Sequence, residues 1–412
     1  MNKEKIVPKI RFKEFSNNWV KCELGEVSDI SSGGTPSRGE SSYWNGDIPW
    51  ATTAEVKYSE ITDTKEKITI DGLNNSSAKL MPVGTILLAM YGQGKTRGQL
   101  GILSIEAATN QANANIQVHR YIYNYFVYYQ LVKKYNLLRN LANEGGQANL
   151  SLGIVKSVNI VVTNNLDEQL KIGEFFKQLD NIITLQQQLL NDHKQLKKAM
   201  LQKMFPQKGE SIPKIRFAGF TQKWENLKLS SLYVKGASGG TPKSTNKSYY
   251  IGNIPFLGIS DISASNGYIY DTKKRISQEG LDSSSAWLVP KEAISLAMYA
   301  SVGKVAILKT DVATSQAFYN MIFKDIATRN FIFQYLLKKE STNGWNKLIS
   351  TGTQANLNAK KIQDLQIMVP SLEEQEKIGD LFGKLDKTIT LHEKKLETYQ
   401  NLKKAMLQKM FV

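Results

Sequence analysis

The chain has 412 residues, with 53 Lys+Arg against 37 Asp+Glu, a formal charge of +16. That length exceeds one ordinary core and predicts two or three domains, while 41% hydrophobic and 22% charged residues exclude both a disordered tail and a membrane protein. Cys22 is the single cysteine, which excludes an intramolecular disulfide and fits a reducing cytoplasm; with His119, His193 and His392 far apart in sequence, it also argues against a structural zinc site.

In chain order, the first residues alternate charge with single apolar side chains and carry no apolar signal segment, so no secretory leader is expected. The longest apolar run, residues 83–91, falls short of the ~20 residues a spanning helix needs. Residues 1–163 are expected to form a globular α+β domain with long loops. Its predicted strands are 86–91, 115–119 and 158–162, and 123–140 is predicted helical. A helix over 164–206 follows, then a linker at 207–213. A second globular domain over 214–370 has predicted strands at 293–298, 305–308, 319–323 and 365–369 and a helix at 330–340. A last helix covers 371–412.

This order is a tandem repeat. Pro8-Lys9-Ile10-Arg11-Phe12 recurs as Pro213-Lys214-Ile215-Arg216-Phe217, and Trp19 as Trp224. Ser32-Gly33-Gly34-Thr35-Pro36 recurs as Ser238-Gly239-Gly240-Thr241-Pro242, and Ile48-Pro49-Trp50 as Ile254-Pro255-Phe256. Residues 166–205 match 372–411 without a gap, identical at 23 of 40 positions. A period near 206 means two copies of a whole module rather than a solenoid. The globular copies share only short islands, and the intervals 51–88 and 257–296 are largely unrelated. A common scaffold with diverged loops predicts two modules doing one job on different targets.

Asn165 and Ser371 each stand three residues before a Glu and read as N-caps with capping boxes, and Pro206 closes the first helix. Ile172, Phe175, Leu179, Ile182, Leu189, Leu196 and Met200 mark an imperfect heptad seam, with Gln186 and His193 at the two missing positions. The second copy gives Ile378, Leu381, Leu385, Leu391, Leu396, Leu402 and Met406. Each helix would be about 60 Å long. Chain connectivity predicts antiparallel pairing into a coiled coil with one globular part at each end, a pseudo-twofold dumbbell. Each helical segment carries a net +1, so +14 of the charge lies outside them. That placement points to an anionic partner on the globular parts, nucleic acid before an acidic membrane.

Four loop pairs are candidates for contacting nucleic acid. The first carries Ser37, Arg38, Tyr43 and Trp44 in one copy and Lys243, Thr245, Asn246, Lys247, Tyr249 and Tyr250 in the other. The second carries Tyr91, Gln93, Lys95, Arg97 and Gln99 against Tyr299, Ser301 and Lys304. The third carries Asn110 and Gln111 against Ser315 and Gln316. Glycines allow close backbone approach, hydroxyls and cations hold phosphate, and Arg, Asn and Gln read base edges. A fourth pair, 146–149 and 353–356, reads equally as a turn entering the final strand. Thr35-Pro36 itself reads as a structural turn.

No catalytic centre stands out. Gly94-Lys95-Thr96 lacks the first glycine of a P-loop, since position 89 is alanine. Asp47, Glu55 and Lys57 faintly suggest a nuclease set, but the second module offers only Asn253 and Asp261. No Asn-Pro-Pro-Tyr or Asp-Pro-Pro-Tyr occurs, as an amino-methyltransferase would need.

The order of these motifs carries a family likeness. A globular part, Gly-Gly-Gln-Ala-Asn-Leu-Ser at 145–151, a strand, Glu-Gln-x-Lys-Ile-Gly at 168–173 and a long helix ending Leu-Lys-Lys-Ala-Met-Leu-Gln-Lys-Met-Phe all occur in sequence, and the whole order occurs twice. The chain resembles the specificity subunit of type I restriction–modification systems along essentially its full length. The resemblance implies two target-recognition domains, each reading half of a split, asymmetric site on double-stranded DNA. The coiled coil would act as a ruler for the unread spacer; helices of about 60 Å span more than one B-DNA turn of ~34 Å. It implies two modification subunits bearing S-adenosylmethionine for adenine methylation, and restriction subunits using ATP and Mg. It implies no cofactor, metal or catalysis in this chain, no membrane partner and a cytoplasmic location. The alternatives are a self-sufficient nuclease and a coiled-coil adaptor with no DNA role.

Overall fold

The computed structural model describes residues 6–92, 95–141, 149–349 and 357–412. The chain forms two compact units. Residues 186–395 make one; the other combines residues 1–185 with 396–412.

Within the first unit a five-stranded sheet runs in the order Ser28–Ser32, Asn113–Val118, Ile86–Ala89, Leu100–Leu103, Glu60–Ile61. Its pairings are antiparallel except the last. The strand Ile86–Ala89 is buried throughout. Alternation explains how: Ile86 and Leu88 face a core shared with Phe126, Tyr129 and Phe176, while Leu87 and Ala89 face a second core with Ala51, Val56 and Met81. The second core is closed by a four-stranded sheet, Glu66–Ile68, Trp44–Ala51, Ala107–Thr109, Leu80–Met81. A short ladder pairs Val20–Glu23 with Asn159–Val162.

The second unit repeats this plan. Lys235–Ser238, Phe318–Ile322, Ile294–Ala297, Val305–Leu308 and Tyr268–Ile269 form the five-stranded sheet. Lys274–Ile276, Ile254–Leu257, Val312–Thr314 and Leu288–Val289 form the four-stranded one. The intervals that look unrelated in sequence therefore fold to the same strand order. The predicted 330–340 helix is longer, Ile326–Ser341. The predicted 123–140 helix is two, Asn124–Lys133 and Tyr135–Asn140. The break falls at Lys134, which ends the first and caps the second; just beyond it the Tyr135 ring stands edge-on to Tyr58 and its hydroxyl donates to the Lys95 carbonyl.

The long helices are Leu166–Lys203 and Leu372–Met410. Neither they nor any other helix among the described residues is long and apolar enough to cross a membrane. Asn165 caps the first through the Glu168 N–H at 3.1 Å, but the capping box is not completed. The Glu168 carboxylate instead takes the Arg11 guanidinium in two bonds of 2.6 and 2.8 Å and the Trp19 indole N–H at 3.2 Å. Glu374 likewise takes Arg216 at 2.7 and 2.8 Å.

The seam also needs correction. Ile172, Leu179, Gln186, His193 and Met200 face inward, but the alternate positions lie one residue later than the pattern predicts. Phe176 and Leu190 are buried, whereas Ile182, Leu189 and Leu196 are exposed. In the second helix Phe382 and Ile389 are buried, whereas Leu391 and Leu402 are exposed. Adjacent apolar residues made the periodicity degenerate, and at 197 and 403 the seam takes a lysine. Each lays its stem along the interface and places its ammonium on a carboxylate: Lys403 on Asp180 in the first unit and Lys197 on Asp386 in the second, both at 2.5 Å. Each unit thus contains the beginning of one long helix lying against the end of the other, an antiparallel pairing. In the first unit Phe411 packs on Trp19, Phe126 and Phe176. In the second, Phe205 packs on Trp224, Phe331 and Phe382.

Candidate nucleic-acid interface

In both units the first and third loop pairs are one surface. The Gly34 N–H donates to the Thr109 carbonyl at 2.8 Å, and Gly240 to Thr314 at 3.0 Å. The approach is so close that a Cβ on Gly33 would lie 2.0 Å from the Thr109 carbonyl oxygen, and on Gly239 1.8 Å from that of Thr314. The glycines are therefore required by loop-to-strand contact. Beside this brace Thr35 Oγ1 donates to Gln111 Oε1 at 2.5 Å and Thr241 Oγ1 to Gln316 Oε1 at 2.6 Å. Gln111 and Gln316 are exposed; Asn110 and Ser315 instead hold the turn, each accepting an N–H from two residues on.

On this common brace the two units carry different chemistry. In the first, the exposed Arg38 lies 3.8 Å above the Trp44 ring and is gripped in a fork by Glu66 at 2.5 and 3.0 Å. Its hydrogen bonds hold the Glu66 carboxyl below the usual carboxylate range. Trp44 is fixed by its indole N–H donating to the Ser37 carbonyl at 3.0 Å. In the second, Lys243, Thr245 and Lys247 are exposed, and Asn246 caps a one-turn helix, Lys247–Tyr250. Tyr250 donates its hydroxyl to the Pro242 carbonyl at 2.7 Å. Tyr43 and Tyr249 are half-buried, and their carbonyls accept from Thr69 and Ser277. Sequence reasoning missed Glu66: it lies in an interval whose two copies are largely unrelated in sequence, and its equivalent at the head of the matching strand is Lys274.

The second loop pair is more structural than expected. Tyr91 and Tyr299 are each 38% exposed, and Lys95 is exposed. Arg97 is half-buried and donates to the Arg139 carbonyl at 2.9 Å, and Gln99 is half-buried at the strand entrance. Lys304 pairs with Glu340 at 2.7 Å, and Ser301 shares a 2.8 Å hydrogen bond with Ser263. Gln93, most of 146–149 and all of 353–356 lie outside the described residues. The described chain beyond them first enters short helices, Leu152–Lys156 and Ala359–Gln363, and only then the final strand.

Of the faint nuclease set, Glu55 has a local structural role. Glu55 accepts from the Thr52 N–H at 2.8 Å and hydroxyl at 2.7 Å, closing a turn. Asp261 accepts from the Gly258 N–H at 3.0 Å, so it is the counterpart of Glu55 alone, and the shared role is capping.

Because the Arg38–Glu66 pair is exposed, Arg38→Ala is expected to change stability by no more than about 0.5 kcal/mol in thermal denaturation.

The family model of the type I restriction modification DNA specificity domain matches the chain twice, over residues 16–195 and 221–400. The specificity subunit of the MjaIX type I restriction enzyme of Methanocaldococcus jannaschii is 31% identical over 46% of this chain and 44% of its own length. That of the EcoR124I/EcoR124II enzyme of Escherichia coli is 24% identical over 42% of this chain and 43% of its own. The chain thus spans less than half the length of these relatives. The S subunit of a type I restriction–modification system from M. genitalium superposes with a TM-score of 0.67 at 16% identity, covering 99% of both chains, which shows a shared fold. Matched by the family model in both of its repeats, the chain belongs to the type I restriction modification DNA specificity domain family.

Proposed function

We propose that this chain is the DNA-recognition subunit of a type I restriction–modification complex. Each globular part reads one half of a bipartite, asymmetric site, and the paired long helices set the length of the unread spacer. The carrying observation is the same glycine-braced loop surface in both units, presenting Arg38 with Trp44 in one and Lys243, Lys247 and Tyr250 in the other. A brace shared by both units under different side chains fits two readers with different targets. The chain acts in the cytoplasm without a cofactor of its own, beside two modification subunits that supply S-adenosylmethionine and methylate adenine. Restriction subunits with ATP and Mg complete the assembly.

The test is co-expression with the modification subunit, followed by methylation-sensitive sequencing of host DNA. The expected result is one bipartite motif. Replacing residues 14–163 by another module should change one half of it only, and inserting four residues near Gln186 should lengthen the spacer or abolish assembly. A motif changed in both halves, or methylation without any motif, would overturn the proposal.

A further inference from the structure

The two units differ where the edge of the five-stranded sheet faces the long helix. In the first unit this recess is crossed by a strap. Tyr125 donates its hydroxyl to Glu60, and Lys177 reaches the same carboxylate at 3.1 Å while lying 4.5 Å from the Tyr125 ring. Behind it Tyr129 donates to Asp180 at 2.9 Å. The second unit keeps the carboxylate, Asp386, but replaces the strap. By gap-free alignment of the helices Lys177 becomes Gly383, Tyr125 becomes Asn330 and Tyr129 becomes Gln334. A Cβ on Gly383 would meet nothing within 4 Å. The recess opens to about 560 Å³, against about 390 Å³ in the first unit, within the ~300–1,000 Å³ range of small-molecule sites.

Its lining has a definite chemistry. Tyr268, Tyr270 and Phe333 supply aromatic surface. Lys309 and Arg329 share the single carboxylate of Glu292, and Asp386 is neutralised by Lys197. Lys384 and Lys387 also line the recess, in no ion pair with a carboxylate among the described residues, against one remaining acid, Asp380. Gln334, buried at 2% exposure, donates to Asp386 at 3.2 Å but leaves its Oε1 without a partner. An aromatic wall beside a cationic mouth selects a planar ring that carries an anion. We propose that the second unit binds a free nucleotide in this recess, its base against Tyr268 and Tyr270 and its phosphate at Lys384 and Lys387. The site belongs to one module only and is separate from the loop surface that carries the recognition role.

Titration calorimetry of the full chain with AMP tests this. One AMP per chain is expected, bound more tightly than inorganic phosphate or adenosine. Gly383→Leu fills the same open space without adding charge and favours the helix, so it should fold normally and weaken AMP by about tenfold or more. Lys177→Gly in the first unit should leave AMP binding unchanged. No saturable heat with AMP, equal affinity for phosphate, or an undiminished affinity in Gly383→Leu would overturn the proposal. Tighter, Gly383→Leu-sensitive binding of a short single-stranded oligonucleotide would overturn the assignment to a free nucleotide.

Discussion

Arg11→Ala is expected to destabilise the first unit by about 3–5 kcal/mol, because it strands the Glu168 carboxylate, which is fully buried, without its counter-ion. The pair is worth less than this cost suggests. Two ions must be stripped of water to form it, so replacing both with apolar residues, Arg11→Met with Glu168→Leu, should recover most of the loss. Trp19 limits the recovery, since its indole N–H also donates to Glu168 and would lose its acceptor. Urea denaturation, with hydrogen exchange to separate the units, measures both variants. Protection should fall in the first unit and persist in the second. A double variant as unstable as the single one would show that the ion pair itself, rather than the orphaned charge, sets the stability.

On the proposed function, Gly239→Ala is expected to silence recognition by the second unit while leaving that of the first intact. The added methyl would sit 1.8 Å from the Thr314 carbonyl oxygen, and backbone on a buried strand cannot yield as a side-chain tip would. The loop must lift, which breaks the 3.0 Å bond from Gly240 to Thr314 and separates Thr241 from Gln316. If this surface reads bases as proposed, its displaced loop should cost about 2–4 kcal/mol of specific binding, roughly thirty- to a thousandfold in affinity. Non-specific binding at low salt, carried by the charge of the whole surface, should barely change. Gly33→Ala should do the same to the first half-site, where the corresponding distance is 2.0 Å. Gly383→Ala serves as the control, since its methyl meets nothing within 4 Å. Salt-dependent binding of the assembled complex to whole and half-altered sites reads all three. Equal loss on both half-sites from Gly239→Ala would refute independent readers.

The repeat made the architecture legible. Each predicted strand lies within a residue or two of an observed one, but Ser28–Ser32, Trp44–Ala51 and Ala107–Thr109 and their counterparts in the second unit were not predicted; the two long helices announced themselves by length and capping residues. What failed did so for identifiable reasons. Phe175 and Phe176, Ile182 and Ile183, and Leu189 and Leu190 are adjacent apolar pairs, so periodicity could not say which member turns inward. The lysines at 197 and 403 enter the seam only because Asp386 and Asp180 meet them, which spacing along one helix does not reveal. Glu168 fits a capping box locally, but Arg11, 157 residues away, competes successfully for its carboxylate. The loops were found as pairs because they recur. Their division of labour, Gln111 outward and Asn110 holding the turn, depends on hydrogen-bond geometry that residue type alone leaves open.

The placement of Phe411 bears on how the chain is made. The second unit is a continuous stretch, 186–395, and has all its parts once that stretch has left the ribosome. The first unit is synthesised earlier but needs residues 396–412, including a ring buried against Trp19 and a carbonyl bonded to Lys133, 278 residues upstream. The module translated first is therefore completed last. Until then its aromatic socket stays open and prone to aggregation or to capture by the equivalent helix end of another chain, which bears the identical ten-residue terminus.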